Sequence, residues 1–479
     1  MTFVSNLCYG IPLRLGQFDG PNDDVTKTRI KGASTLAKKD RVPAKTLKGF
    51  RDFSPSLALR RKAITDHIWH HAIQSGFEPI ETPVLEYAET LLGSGGEEAD
   101  KEVYLFEDHG GRRVGLRFDL TVPFSRFVAE NQGTLTMPFK RVQIGNSYRG
   151  EKPQKGRYRE FCQADVDIVG VDSLAADVEI ITNIAVNLDQ FVPSSFTMLI
   201  GHRVLLSALI KASLPNVDGD GEIKVLIALD KLAKVGDEKV LELILEVQGT
   251  TEEGAQSLLK VVTAKDVQGD SDLNLVRSTL ASQEEALGEI DRLDQTLSIL
   301  RDLKISKGKI RLDLSIARGL GYYTGIVFET FLDDLPNFGS ISSGGRYNGL
   351  VSRFSKQEIP GIGGSIGVDR LLAALDELEK ASEPERGGIF VAVATEDARA
   401  YGFRIVQELR GAGLKADIAL KPGKLAQQFK YADKKHFAKV VTVGDEELAQ
   451  ETYSIKDLDS GVEEKQLPLV DMVASMKPH

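Results

Sequence analysis

Residues 139–169 read FKRVQIGNSYRGEKPQKGRYREFCQADVDIV. Two runs rich in branched and aromatic residues, Phe139 to Tyr148 and Glu160 to Val169, flank a charged, turn-rich segment. Such runs read as strands, and so short an interval between them makes a long antiparallel hairpin with a basic loop. Arg149 ends the outgoing strand and Arg157 starts the return, so two guanidinium groups converge near the hairpin base. Planar guanidinium groups bind phosphate oxygens through two parallel bonds. For an isolated charged loop, a merely solvated hairpin is the plainer account.

Upstream, order begins at Thr46–Phe53, after an extension with little periodicity over residues 1–45. Ser54-Pro55 has the form of an N-cap followed by proline at the first helical position. The helix runs to Gln74, with Ile64, Ile68 and His71 or Ala72 at helical spacing, and Gly76 stops it. Phe77 to Leu85 reads as a strand interrupted by Pro79 and Pro83, which places it at an edge or interface. Val114 to Phe118 is a short strand, and Thr121 starts a helix.

Downstream, a helix runs from Leu174 to Leu188. Residues from about 200 to 305 are then rich in Leu, Ala, Glu and Lys at helical spacing, as a helical insertion would be. Strands resume over Arg311 to Ser315, Ile326 to Phe331 and Ser340 to Ser343. The glycine-rich run Gly361 to Gly367 enters a helix from Val368 to Leu378. A polar linker, Ala381 to Arg386, precedes a strand–helix alternation. In it, Ile389 to Val393, Ala416 to Leu420 and Val440 to Val443 alternate with helices near Ala398 to Arg410 and Leu425 to Lys434. This predicts a separate small α/β domain.

Bulk properties narrow the function. A chain of 479 residues suggests about three domains. The net charge of −10 argues against polyanion binding by the whole surface, though a local basic patch can still carry it. Cys8 and Cys162 are too far apart for a disulfide framework or a zinc spacing, which suits a reducing cytoplasm. His67, His70 and His71 lie on one helix without metal-ligand spacing and read as core or surface residues. No apolar run approaches the roughly 20 residues that span a bilayer.

Three further elements carry candidate chemistry. Ser315 to Gly325 reads SIARGLGYYTG, an arginine followed by glycines and two tyrosines between apolar strands. The glycines would admit a ligand close to the backbone, and the tyrosines could stack on or donate to a polar ring. Ser342 to Asn348 reads SSGGRYN, small residues that leave space beside a ligand. Gly361 to Arg370 reads GIGGSIGVDR, a candidate floor under a flat ring, with Arg370 reaching phosphates. It has neither the Walker ending nor the Rossmann spacing.

In this order, the four elements resemble class II aminoacyl-tRNA synthetases, specifically the histidyl-tRNA synthetase family, from about residue 46 to the end. Segment 77–89 looks like the dimer-forming motif 1, residues 139–169 like motif 2, and residues 361–371 like motif 3. The resemblance implies an α+β catalytic domain over residues 46–380 on a mixed, mostly antiparallel sheet with a helical insertion. It also implies an anticodon-binding α/β domain over residues 386–479. Bent ATP would have its adenine between a motif 2 aromatic ring and Arg370. Arg149 would hold the α-phosphate, Arg157 would lie near the outer phosphates, and Mg²⁺ would sit on the β- and γ-phosphates without a dedicated protein metal site. Arg318 would take a metal's place at the α-phosphate and touch the histidine carboxylate, so Arg149 and Arg318 carry catalysis. Asp119, Thr121 and Gln163 would bind the histidine ammonium, with Asp167 and Tyr323, beside Tyr322, reading the imidazole. The implied partners are L-histidine, tRNA(His) and a second copy of the chain.

Two departures stand out. Gly321 occupies a position where the family usually has Asp, and Asn348 replaces another common Asp. Lys421, Lys424, Lys430, Lys434, Lys435 and Lys439 crowd one stretch of the C-terminal domain with only Asp433 opposing. A charge run is usually a solvated face, but on a domain resembling an anticodon-binding module it reads as a tRNA contact. The competing reading is a catalytically silent regulator built on the same core. Such regulators usually lose the ATP arginines and the C-terminal domain, which this chain keeps.

Overall fold

The computed structural model describes residues 42–93, 97–193, 195–304, 309–316, 323–378 and 386–468. The hairpin of residues 139–169 is the spine of an eight-stranded sheet. Across it run, in order, Glu78–Pro79, Phe139–Tyr148, Glu160–Val169, Gly361–Gly367, Ser342–Arg346, Ile326–Leu332, Phe196–His202 and Lys309–Leu312. Only the outermost pair at each end is parallel, and every inner pair is antiparallel. The expectation of a mixed, mostly antiparallel sheet therefore holds.

Alternation along the strands divides the sheet into two faces. Val142, Ala164, Val166, Ile362 and Ile366 bury against Ile64, Ile68 and Ala72 of the helix Pro55–Gln74 and against the helices Leu174–Phe191 and Val368–Leu378. The intervening residues face the other way, and register sets them in polar rows. One row runs Gln143, Asp165, Ser365, Ser343, Glu329, and the next runs Arg141, Asp167, Gly363, Gly345.

Several elements depart from expectation. Ser54 has extended N-cap geometry, but its side chain caps nothing and pairs with Ser56 instead. Of the stretch 77–85 only Glu78–Pro79 joins the main sheet, at its edge. Pro83 breaks the run, and Leu85–Tyr87 belongs to a separate three-stranded sheet with Leu105–Glu107 and Arg113–Leu116. The strand expected from Arg311 to Ser315 is Lys309–Leu312. It stops there because the Asp313 carboxylate accepts from the Ser315 amide at 3.0 Å and hydroxyl at 2.6 Å, closing a turn. The strand expected from Ser340 to Ser343 is Ser342–Arg346, and it pairs on both sides.

The insertion is helical, from Arg203–Ser213 to Glu284–Leu303. Its last helix is tied to the unit built on the eight-stranded sheet by an ion-pair cluster around buried Asp177 and Arg346. Arg292 reaches Asp172 at 2.7 Å and Asp177 at 3.2 Å, while Arg346 holds Asp177 at 2.5 Å. His67 and His71 pack beside the helix Leu174–Phe191, where His67 meets the Phe191 ring edge-on and His71 Nδ1 lies 3.0 Å from Asn187 Nδ2.

Residues 386–468 form a five-stranded sheet in the order Ala416–Ile418, Ile389–Val393, Lys439–Val443, Thr452–Asp457, Glu463–Pro468. The first three strands are parallel, as the strand–helix alternation requires. The last two add an antiparallel hairpin that was not anticipated. This unit has its own core, around Phe390, Val391, Ile405, Val440 and Tyr453. Buried Gln428 donates to Val393 O and accepts from Val393 N, both at 2.8 Å, at the end of the strand Ile389–Val393.

Candidate active site

The polar face of the sheet opens into two adjoining cavities. The larger, about 870 Å³, is lined by Arg149, Glu151, Arg157, Tyr158, Phe161, Glu329, Asp369 and Arg370 among others. The smaller, about 450 Å³, is lined by Asp119, Thr121, Asp165, Asp167, Tyr323, Tyr347, Gly363 and Gly364. Arg149, Gln163, Ser343 and Ser365 line both. The three arginines read as phosphate ligands thus share one cavity, and the described residues read as histidine ligands share the other. Arg318, Tyr322 and Gly321 lie outside the described residues.

The hairpin base places the arginines. Arg149 donates through Nε to Phe118 O at 3.1 Å, and its guanidinium lies 5.0 Å from the Phe161 ring centre. Arg157 Nη1 is 3.5 Å from Glu151 Oε2, and Arg370 Nη2 donates to Phe338 O at 3.0 Å. Phe161 and Arg370 both line the larger cavity, as a pair bracketing a flat ring would. Asp369 braces this end. It accepts from the Cys162 amide at 2.7 Å and from Arg51 and Arg61 at 3.0 Å each. Arg51 also stacks 3.8 Å from the Tyr158 ring centre, so the segment preceding the first helix grips the cavity wall.

The smaller cavity is acidic. Asp119 accepts from the Val122 amide at 3.0 Å, which fixes it at the start of the helix Thr121–Glu130. Burial raises its carboxyl from 3.8 to about 6, against the Val122 amide and the Arg149 charge. Burial likewise raises Asp167 to about 7, with Arg141 pulling it down and Asp165 pushing it up. Burial also raises Asp165. Tyr347 donates its hydroxyl to Asp167 Oδ1, and Arg141 Nε is 2.7 Å from Asp167 Oδ2. Gln163 Nε2 donates to Ser365 Oγ at 2.9 Å.

Arg141, Asp165, Tyr347 and Ser365 were not singled out from the sequence, although all sit inside quoted elements. The alternation Arg141, Gln143 opposite Gln163, Asp165, Asp167 was the available signal, since it puts polar residues on one face of a paired hairpin. The glycine strand also differs from its reading as a floor under a ring. A β-carbon at Gly363 would fall 1.9 Å from Asp167 Oδ1, and one at Gly361 would fall 2.5 Å from the Tyr347 ring. These glycines make room for the protein's own pocket side chains.

An antiparallel sheet bearing a phosphate-ready hairpin, a glycine strand running into an arginine-bearing helix and an adjoining amino-acid-sized cavity defines the class II aminoacyl-tRNA synthetases. Within that class, the family model for histidyl-tRNA synthetase matches residues 49–371, and that for the anticodon binding domain matches residues 388–478. The chain is 41% identical over 418 residues to the histidine–tRNA ligase of Rhodopirellula baltica, covering 87% of this chain and 94% of the relative. It is 39% identical over 426 residues to that of Helicobacter acinonychis, covering 88% and 95%. The crystal structure of histidyl-tRNA synthetase from Nostoc sp. superposes with a TM-score of 0.80 at 29% identity, covering 91% of this chain and 99% of that one. The chain belongs to the histidyl-tRNA synthetase family.

Proposed function

We propose that this enzyme activates L-histidine with ATP, releasing pyrophosphate, and then transfers the histidyl group to the 3′ end of tRNA(His). The observation that carries this reading is the pair of adjoining cavities, one lined by three arginines and the other by three buried carboxylates, with Arg149 at their junction.

In the larger cavity, Arg149 holds the α-phosphate, Arg157 serves the outer phosphates, and Phe161 and Arg370 bracket the adenine. In the smaller, Asp119, Thr121 and Gln163 take the ammonium. Asp167, with Tyr323 beside Tyr322, reads the imidazole, whose two nitrogens suit a carboxylate and a hydroxyl. A site that hydrogen-bonds its substrate rejects apolar isosteres because they leave buried groups unpaired. The histidine carboxylate attacks the α-phosphorus, pyrophosphate leaves, and charge gathers on the α-phosphate oxygens, which Arg149 serves together with Arg318 in the role the family resemblance gives it. Rate enhancement then comes from positioning and fixed charge, with no protein nucleophile.

Mg²⁺ would neutralise charge on the outer phosphates. The lining fits such a hard cation, because Glu151 and Glu329 offer carboxylates in the same cavity. Among the described residues no cluster of three or more metal-ligating side chains occurs, so phosphates and water would complete its shell.

The exposed Lys421, Lys424, Lys430, Lys434 and Lys435 give the C-terminal domain a basic stretch for the anticodon. The exposed apolar side chains Val84, Leu85, Tyr87 and Phe106 support a second copy docking on the three-stranded sheet. Among the described residues no helix is long and apolar enough to cross a membrane, and the reducing cytoplasm is the proposed setting.

The test is ATP–pyrophosphate exchange by the purified protein with each of the twenty amino acids. Exchange with histidine alone is expected. Exchange with a different amino acid would keep the reaction class and overturn the assignment of Asp167 and Tyr323, and no exchange from folded protein would sink the enzyme reading.

A further inference from the structure

The reaction as described does not use Arg141. Its side chain is completely buried, which is rare for arginine and costs free energy unless the charge is compensated. Two of the groups around it, Asp165 and Asp167, line the smaller cavity. Nε lies 2.7 Å from Asp167 Oδ2, and Nη2 lies 3.6 Å from Asp165 Oδ2 and 3.5 Å from Leu120 O. Nη1 donates to Gln143 Oε1 at 3.3 Å, and the guanidinium sits 4.5 Å from the Phe124 ring centre.

Arg141 does not line the cavity, so it cannot touch a ligand there. It sits directly behind Asp167 as its cross-strand neighbour, and on the far side of Asp167 the neighbour is Gly363. The Asp167 carboxylate is therefore held from behind by Arg141 and from one side by Tyr347, with Gly363 leaving the space it occupies. A carboxylate offers about four lone-pair sites. Tyr347 occupies one of them, Arg141 faces Oδ2 as its ion-pair partner, and Asp167 lines the cavity.

We infer that Arg141 is a positioning and specificity residue that acts through Asp167, holding that carboxylate in place against the substrate's imidazole ring. The inference rests on the histidine-pocket reading above. Asp119 and Asp165 belong to the same enclosure, and Arg141 is the buried cation that pulls the Asp167 carboxyl down against burial and against these two neighbours. Asp165 shares the Arg141 charge at the longer distance, which leaves Asp167 as the more tightly held of the two.

The test measures histidine and ATP KM and kcat by pyrophosphate exchange for wild type, Arg141→Lys, Arg141→Met, Asp167→Asn and the double variant Arg141→Met/Asp167→Asn. Wild-type exchange dependent on histidine establishes the pocket reading independently, and its absence would condemn that reading before Arg141 is tested. Arg141→Met is expected to raise histidine KM by roughly tenfold or more with ATP KM within about twofold, and Arg141→Lys to recover part of the loss. Removing both charges is gentler on the fold than removing one, so the double variant serves where Arg141→Met does not fold. It should be no worse for histidine than Asp167→Asn alone.

A second readout is the acid limb of kcat/KM for histidine. The groups facing Asp167 are Arg141 from the outgoing hairpin strand, Asp165 on its own strand, Tyr347 after the strand Ser342–Arg346, and Asp119 ahead of the helix Thr121–Glu130. Arg141→Met leaves only acidic and neutral groups there, so the limb should move to higher pH in Arg141→Met and by less in Arg141→Lys, which keeps a cation. The histidine substrate titrates identically in every variant, so a difference between variants belongs to the protein. Equal rises in histidine and ATP KM, an unmoved acid limb, or additive effects in the double variant would each overturn the inference.

Discussion

A methyl group on Gly363 would lie 1.9 Å from Asp167 Oδ1 and 2.5 Å from its Cγ, closer than non-bonded atoms approach. The carboxylate cannot simply retreat, because Arg141 and Tyr347 hold it. Gly363→Ala is expected to raise histidine KM by roughly tenfold or more while ATP KM stays near wild type, an estimate from the usual cost of overpacking a filled site. Paired KM measurements check it. The same carboxylate makes a pH prediction. Burial raises Asp167 from 3.8 to about 7 and Asp119 to about 6, so the folded protein holds protons that the unfolded chain releases. Their contribution to stability is fully present below about pH 4 and is lost as pH rises through about 7. The melting temperature of Asp167→Asn, measured without histidine from pH 5 to 8, should fall less with rising pH than that of wild type; parallel curves would contradict the assignment.

Among elements, the central hairpin was the most legible. Both strands begin and end where their branched residues meet charge and turn residues, and the structure reproduces them from Phe139 to Tyr148 and from Glu160 to Val169. The short strand at Glu78–Pro79 was less legible, because its pairing depends on a hairpin sixty residues downstream. Arg141 was invisible for a related reason. A charged residue in a strand reads as solvent-facing, and only the cross-strand pair with Asp167 shows that its charge is buried and matched. The glycines of residues 361–367 were noticed, but their purpose lies in side chains far away in sequence. The segment preceding the first helix carries its own prediction. Arg51 joins Asp369 to Tyr158, two walls of the larger cavity, and its side chain is about one-fifth exposed. Arg51→Ala should raise ATP KM roughly three- to tenfold and leave histidine KM near wild type, the scale of one lost charge-assisted hydrogen bond. An unchanged ATP KM would show that Asp369 and Tyr158 keep their places without it.

At the scale of the molecule, the described residues divide into cores that share no side chain. One centres on the eight-stranded sheet and runs through the insertion, and another lies wholly within residues 386–468. Removing residues 386–479 should therefore spare histidine-dependent pyrophosphate exchange while lowering tRNA charging by an order of magnitude or more. Equal loss of both activities would argue against separable functions. The two cores also have a calorimetric consequence. The C-terminal core is built from far fewer residues, and small domains bury a smaller fraction of their surface. A differential scanning trace should resolve two endotherms, with the lower absent from the truncated chain. Between them lies a temperature window in which the enzyme still consumes ATP to make its activated amino acid but has lost its grip on the nucleic acid, so that heat stress turns a coupled reaction into an idle one.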